Sequence, residues 1–250
     1  MLKKLFSACA VLSTILFTTG AHAAALSVSG STTVAGAILL PMQDEIESAA
    51  GVDLNIVANG SSRGMNDLAN GRSQMAMISA PLDVTIAKIE TKAPGSLAGM
   101  DLQGHQIGET RVSFVVHPSN SVTSMTLDDV AAVLSGQITN WSELGGADMP
   151  IVIVAETSGG GVRTLVESRL IGGEALAGTV REFPNATQVP VVASQMPQAF
   201  GLAPSKAIAG TSAKAVSTGE DIVQPLILVT NGVPSPDAQA VIDASMAAGS

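Results

Sequence analysis

Three times along this chain, a run with strand character ends in a cluster of glycine, serine and threonine, and a helical pattern follows at once. The clusters are Gly-Ser-Thr-Thr at residues 30–33, Gly-Ser-Ser-Arg-Gly at 60–64 and Thr-Ser-Gly-Gly-Gly at 157–161. Strands that alternate with helices in this way pack as an α/β architecture, expected here with largely parallel sheets. In such sheets the loops at the carboxyl ends of the strands are where ligands bind. Each cluster also presents first-turn N–H groups and hydroxyls at the positive end of a helix dipole. One such loop reads as an ordinary helix cap. Three together read as the walls of a cage for a small oxyanion.

Strand patterns cover residues 26–29, 53–58, 75–79, 111–117, 151–155, 189–193, 200–203 and 224–229. Ile38, Met42 and Ile46 share one helical face, which Pro41 must kink or open. Thr126 caps a helix with Asp128 and Asp129 in its first turn and Gly136 at its end. Ser235-Pro236-Asp237 opens the last helix. There is no repeat, charge run or low-complexity linker, so any second unit is joined by crossing strands, not by a tether.

Met1 to Ala23 reads as a secretory signal, with Lys3 and Lys4 ahead of an apolar stretch over residues 5–17. That stretch is shorter than the roughly 20 residues a membrane span needs. Ala21-His22-Ala23 is a small-x-small processing site, which makes Ala24 the first mature residue and the periplasm the expected location. Cys9, the only cysteine, lies in the signal. The mature chain is thus expected to have no disulfide, thiol nucleophile or thiolate metal site.

Composition excludes further classes. Hydrophobic residues are 46% and charged residues 13%, the balance of a chain that buries a core. A formal net charge of −9 argues against nucleic acid, which calls for clustered cations. It leaves room for a small anion held by N–H groups. With no tyrosine, five phenylalanines and one tryptophan, a platform for stacking sugars or bases is hard to build. Gly159-Gly160-Gly161 lacks the Gly-Lys-Ser/Thr of a nucleotide-binding loop, and no Gly-x-Ser-x-Gly elbow occurs. His105 and His117 have no zinc-site spacing. No catalysis, cofactor or metal is expected.

At these residues the chain resembles a known family. Ser29-Gly30-Ser31-Thr32-Thr33-Val34 is similar to the opening of the phosphate-binding proteins of bacterial phosphate ABC transporters. Residues 60–64 resemble that family's second Gly-Ser loop. Residues 134–146, Leu-Ser-Gly-Gln-Ile-Thr-Asn-Trp-Ser-Glu-Leu-Gly-Gly, resemble its most specific stretch. Residues 200–203 resemble its return crossing, and residues 225–232 the segment before its last helices. The resemblance implies an α/β, two-lobe type 2 periplasmic binding protein fold, with mixed sheets flanked by helices and two crossing strands. Lobe 1 would comprise residues 24–114 plus 203–250 and lobe 2 residues 115–202, with crossings near residues 114–117 and 201–203. It implies inorganic phosphate or a related oxyanion as ligand, an ABC permease as partner, and a monomer. The family usually continues beyond the helix near residues 238–247, so a chain ending at Ser250 would be a short or truncated member.

Position by position, Thr32 and Thr33 match the first anion loop, with Ser31 beside them, and Ser61 matches the serine of the second. Ser62, Ser79 at the end of the third strand, and Ser158, Gly159 and Gly160 in the third loop complete the expected ligand-binding set. The family's third loop has the form Arg-x-x-Gly-Ser-Gly-Thr. Here Glu156 or Ala155 stands at the arginine position, and Ala80 replaces the family's Asp or Arg after Ser79. Charged hydrogen bonds contribute roughly 1.5–3 kcal/mol each, so the missing arginine would weaken binding about one to two powers of ten. Arg63 and Arg163, each beside an anion loop, are the residues that could replace it, and Arg63 is counted with the site. Glu156 is expected to point away or to meet one of these arginines. The competing reading is a binding fold with a degraded anion site, acting as a sensor or protein-interaction module.

Overall fold

The computed structural model describes residues 25–249; the signal-peptide reading lies outside them. Each Gly-Ser-Thr cluster does join a strand to a helix. Strand β1 (Leu26–Gly30) leads into a short helix α1 (Thr32–Val34), which widens into a π-helical turn over Ala35–Leu39. Pro41 stands in the break before α2 (Gln43–Ala50), so it separates two helices and does not kink one. Then follow β2 (Leu54–Ala58), α3 (Ser61–Ala69), β3 (Met75–Ile78), α4 (Leu82–Lys92) and a long β4 (Leu102–Val116). After α5 (Leu127–Leu134) come β5 (Val152–Glu156), α6 (Gly161–Ile171), β6 (Val180–Phe183), α7 (Val189–Ala193) and β7 (Ala199–Pro204). The chain ends with β8 (Lys214–Val216), β9 (Ile222–Asn231) and α8 (Pro236–Ala248).

Among the described residues all nine strands belong to one continuous sheet, in the order β2-β1-β3-β9-β4-β7-β5-β6, with β8 also on β4. The pairs β1–β2, β1–β3, β5–β6 and β5–β7 are parallel, as the alternation predicts. The pairs made by β4 and β9 are antiparallel, so the sheet is mixed. The return crossing expected at residues 201–203 lies elsewhere. That segment is inside β7, between β4 and β5. The strand that returns is β9: Ile222 packs in the core with Phe114, Trp141 and Phe200, whereas Leu226 and Leu228 pack with Val28, Ile46 and Ile242. Strand β4 makes the matching outward passage, from Ile107 in one core to Val112 and Phe114 in the other.

The segment 189–193 is a second correction: it is helix, not strand. Asn185 accepts a hydrogen bond from the Gln188 N–H at 3.2 Å and starts a 3-10 turn. Pro190 then sits in the first turn of α7, where its missing N–H costs nothing. Val189, Pro190 and Ala193 face inward, and that packing overrides the strand preference of valine.

Two glycines permit the close approaches on which the first loop depends. Gly30 has φ +138°, and a Cβ there would lie 2.2 Å from the Met77 carbonyl oxygen. Gly64 lets α3 rest backbone to backbone on β1, since a Cβ would fall 2.3 Å from the Ser29 carbonyl oxygen. The stretch 134–146 builds core. Asn140 and Glu143 form a capping box that seats Trp141. The indole is 1% exposed, meets the Phe200 ring edge-on at 6.0 Å, and donates from Nε1 to the Gln198 carbonyl at 3.1 Å.

Candidate functional site

The first two loops and the end of β3 bring their hydroxyls together. Ser31 caps α1, accepting the N–H groups of Thr33 and Val34 at 3.2 and 3.3 Å, and donates to Ser79 Oγ at 2.8 Å. Ser79 is held in turn by its carbonyl, which accepts from Gln224 Nε2 on β9 at 2.9 Å. Ser61, first residue of α3, is 1% exposed, and its Oγ has no hydrogen-bond partner. Buried hydroxyls are rarely left unpaired. This one marks a spare donor and acceptor within the hydroxyl group. Thr33 is buried beside Ser31 and Thr32 is half-buried.

The third loop closes on these residues from the other half of the sheet. Ser62 donates twice to the Gly159 carbonyl, from N–H at 3.1 Å and from Oγ at 2.9 Å. A Cβ on Gly161 would stand 2.0 Å from Ser79 Oγ and 2.8 Å from Ser61 Oγ. Bare backbone is therefore a steric necessity here: a Cβ on Gly159 or Gly161 would strike the hydroxyls of Ser62, Ser79 or Ser61, and one on Gly160 would strike Glu156. Of the residues expected at the site, Ser31, Thr32, Thr33, Ser61, Ser62, Ser79, Gly159 and Gly160 are gathered here. Ser158 is at the rim, where its Oγ accepts from Lys92 Nζ at 2.7 Å.

Neither arginine joins them. Arg63 is exposed and turned back to the Asn59 carbonyl at 3.4 Å. Arg163 is buried, so it is neither solvated nor aimed between the loops. Its Nε donates to Glu167 Oε1 at 2.7 Å, and its Nη1 donates to Glu182 and to the Glu156 carbonyl. Glu167, 1% exposed, also takes Lys88 of α4 at 2.7 Å. That ion pair links α4 to α6 across the junction between the two halves.

Glu156 turns inward beneath the third loop and is 4% exposed. Its Oε1 accepts the Arg163 N–H at 3.1 Å, and the Val162 and Ala186 N–H groups also point to it. Burial pushes its carboxyl up from 4.5 to about 7, against the opposing pull of those N–H groups and of the Arg163 charge. Sequence reasoning did not assign Glu156 or Gln224 to the site's frame. The readable signal for Glu156 was its place at the last strand residue before a glycine run.

A cleft of about 220 Å³ opens beside Thr32 and Thr33, with Thr187 and Lys206 on its far wall. A larger depression, about 520 Å³, lies between α5 and the end of α6 and includes none of these hydroxyls. Convergent polar groups, not size, pick out the site.

The chain matches the family described as PBP superfamily domain over residues 18–239, and it belongs to that superfamily. Its fold is the two-lobe type 2 periplasmic binding protein fold. Among curated proteins it is similar to the phosphate-binding protein PstS of Bacillus subtilis (strain 168), 25% identical over 177 residues, covering 70% of this chain and 55% of that one. It is also 28% identical over 148 residues to PstS of Borreliella burgdorferi, covering 58% and 48%. The chain thus spans about half the length of these relatives. Among solved structures, one described as a phosphate ABC transporter substrate-binding protein with bound phosphate, from Clostridium perfringens, aligns with TM-score 0.72 and 24% identity. That alignment covers 88% of this chain and 92% of the other. An ABC-type phosphate transport receptor from Vibrio cholerae aligns with TM-score 0.64 and 20% identity, covering 89% and 93%.

Proposed function

We propose that this chain is an exported, periplasmic solute-binding protein that takes phosphate or a related oxyanion between its lobes for an ABC permease. The observation that carries the reading is the meeting of three loops around one group of hydroxyls, with Ser61 Oγ left unpartnered. The naming of its relatives as phosphate-binding proteins supports the same reading. The ligand set is Ser31, Thr32, Thr33, Ser61, Ser62 and Ser79 from one lobe and Ser158 to Gly160 from the other. Arg63 belongs to it only if the side chain swings from Asn59 on binding.

The lobes divide within β4 and β9. The mechanism is closure: an anion bound to both lobes favours the closed arrangement over the open one, with no bond made or broken. The protein acts as a monomer. Hydroxyls, N–H groups and helix dipoles supply the attraction that an arginine gives elsewhere.

Calorimetric titration of phosphate-free protein tests this, with sulfate, molybdate and arsenate as comparisons. The expected result is a phosphate dissociation constant near micromolar, about −8 kcal/mol. Tight binding of another tetrahedral anion keeps the class and changes the substrate. A folded protein that gives no heat with any of them overturns the proposal.

A further inference from the structure

We propose that the Glu156 carboxylate is a resident anion at the amino end of α6, and that its charge state sets how readily the third loop accepts an external oxyanion. The inference rests on the oxyanion-site reading above and adds its regulation.

An 11-residue helix offers its first-turn N–H groups to an anion. In α6 those of Val162 and Arg163 are already turned to Glu156. The carboxylate lies directly behind the loop, since a Cβ on Gly160 would sit 2.1 Å from its Cδ and 2.3 Å from its Oε2. On the neighbouring residue, the Gly161 position is the one crowded by Ser79 Oγ and the unpartnered Ser61 Oγ. Little more than the thickness of the glycine backbone separates Glu156 from the hydroxyls. An oxyanion held there faces the buried carboxylate across a low-dielectric gap, where like charges repel strongly.

The surrounding charges sharpen the effect. Arg163 of α6 and Lys88 of α4 are the cations, and Glu167 of α6 and Glu182 of β6 are the carboxylates they bind. Those four balance. An ionised Glu156 is the third negative group in a network with two positive ones; a protonated Glu156 leaves the network neutral. Lys92 and Arg63, the cations beside the loops, are exposed and engaged with Ser158 Oγ and the Asn59 carbonyl. Oxyanion binding therefore favours the neutral acid, draws a proton onto Glu156, and weakens as pH rises. Burial has already moved this group's titration to about neutrality, so the change falls in an accessible range.

The test is phosphate calorimetry from pH 5.5 to 8.5 in buffers of different ionisation heat, on the wild type and on Glu156→Gln. Phosphate itself titrates in this range, so the reading is the difference between the two proteins. Wild-type affinity is expected to fall about tenfold further than that of the variant, the equivalent of one unit of pKa displacement. Wild-type binding should also take up protons that the variant's does not. If the variant fails to fold, the wild type's proton uptake, beyond that of phosphate alone, still decides. Parallel profiles with no extra uptake overturn this inference and leave the phosphate reading standing. Absence of wild-type binding at every pH overturns both.

Discussion

Alanine at position 161 is expected to weaken oxyanion binding by about a hundredfold or more while leaving the fold nearly as stable as before. A hundredfold corresponds to about 2.8 kcal/mol, within the roughly 1–3 kcal/mol that one misplaced methyl costs in a packed site. Gly161 is the first residue of α6 and does not have a positive φ, so alanine suits the backbone. The methyl meets its obstacle on the other lobe. It would lie 2.0 Å from Ser79 Oγ and 3.1 Å from Ser79 Cβ, and Ser79 is fully buried and tied to Ser31. The lobes therefore meet at this point before the loops can close on a ligand. Each lobe keeps its own core, so melting should change little. Calorimetry and small-angle scattering measure the two halves of the claim. Ser79→Ala on top of Gly161→Ala removes the nearest atom and should recover part of the closure. Near-wild-type affinity in the single variant would show that the three loops do not meet when the ligand is bound.

The second large effect is on stability. Trp141→Ala should cost about 3–5 kcal/mol, the range for deleting a fully buried aromatic ring. For a chain of this size that lowers the melting temperature by about 10 °C. The ring closes a core that includes the stacked pair Phe114 and Phe200, with centroids 5.5 Å apart. Its loss also removes one of the two N–H donors to the Gln198 carbonyl, leaving that of Val152 at 2.9 Å. Urea denaturation reads the cost directly. The affinity of the molecules that remain folded should be unchanged, because the indole's partners are core groups and not loop hydroxyls. A cost below about 1 kcal/mol would mean the core collapses around the gap far better than this packing allows.

The loops were legible because their chemistry is local. A serine that caps, a glycine that clears a backbone and a strand that precedes both lie within a few residues of one another. The strand pairing was not local. Residues 224–229 read as one more strand, and only their pairing with β4, more than a hundred residues earlier, makes β9 the returning crossing. Arg163 shows the same limit at closer range. Its place beside the third loop suggested a ligand contact, yet helix phase turns it inward to Glu167, four residues on. That spacing was itself readable as an ion pair. Glu156 was expected to point away or to meet an arginine; its carboxylate instead takes the Arg163 main-chain N–H beneath the loop, while that guanidinium goes to the Glu156 carbonyl, Glu167 and Glu182. What stayed hidden was that β5 runs between β6 and β7, which buries its last side chain. The most family-specific stretch, around Trp141, proved to be a core motif with no part in the hydroxyl cage.

The place of that indole has an optical consequence. The chain contains one tryptophan and no tyrosine, so nearly all of its near-ultraviolet absorption and emission comes from a single ring. That ring is buried in one lobe's core, with Phe200 at its edge and its N–H bonded to the Gln198 carbonyl. Intrinsic fluorescence of this protein is accordingly a blue-emitting gauge of whether that lobe is intact, and is largely blind to whether the cleft is filled.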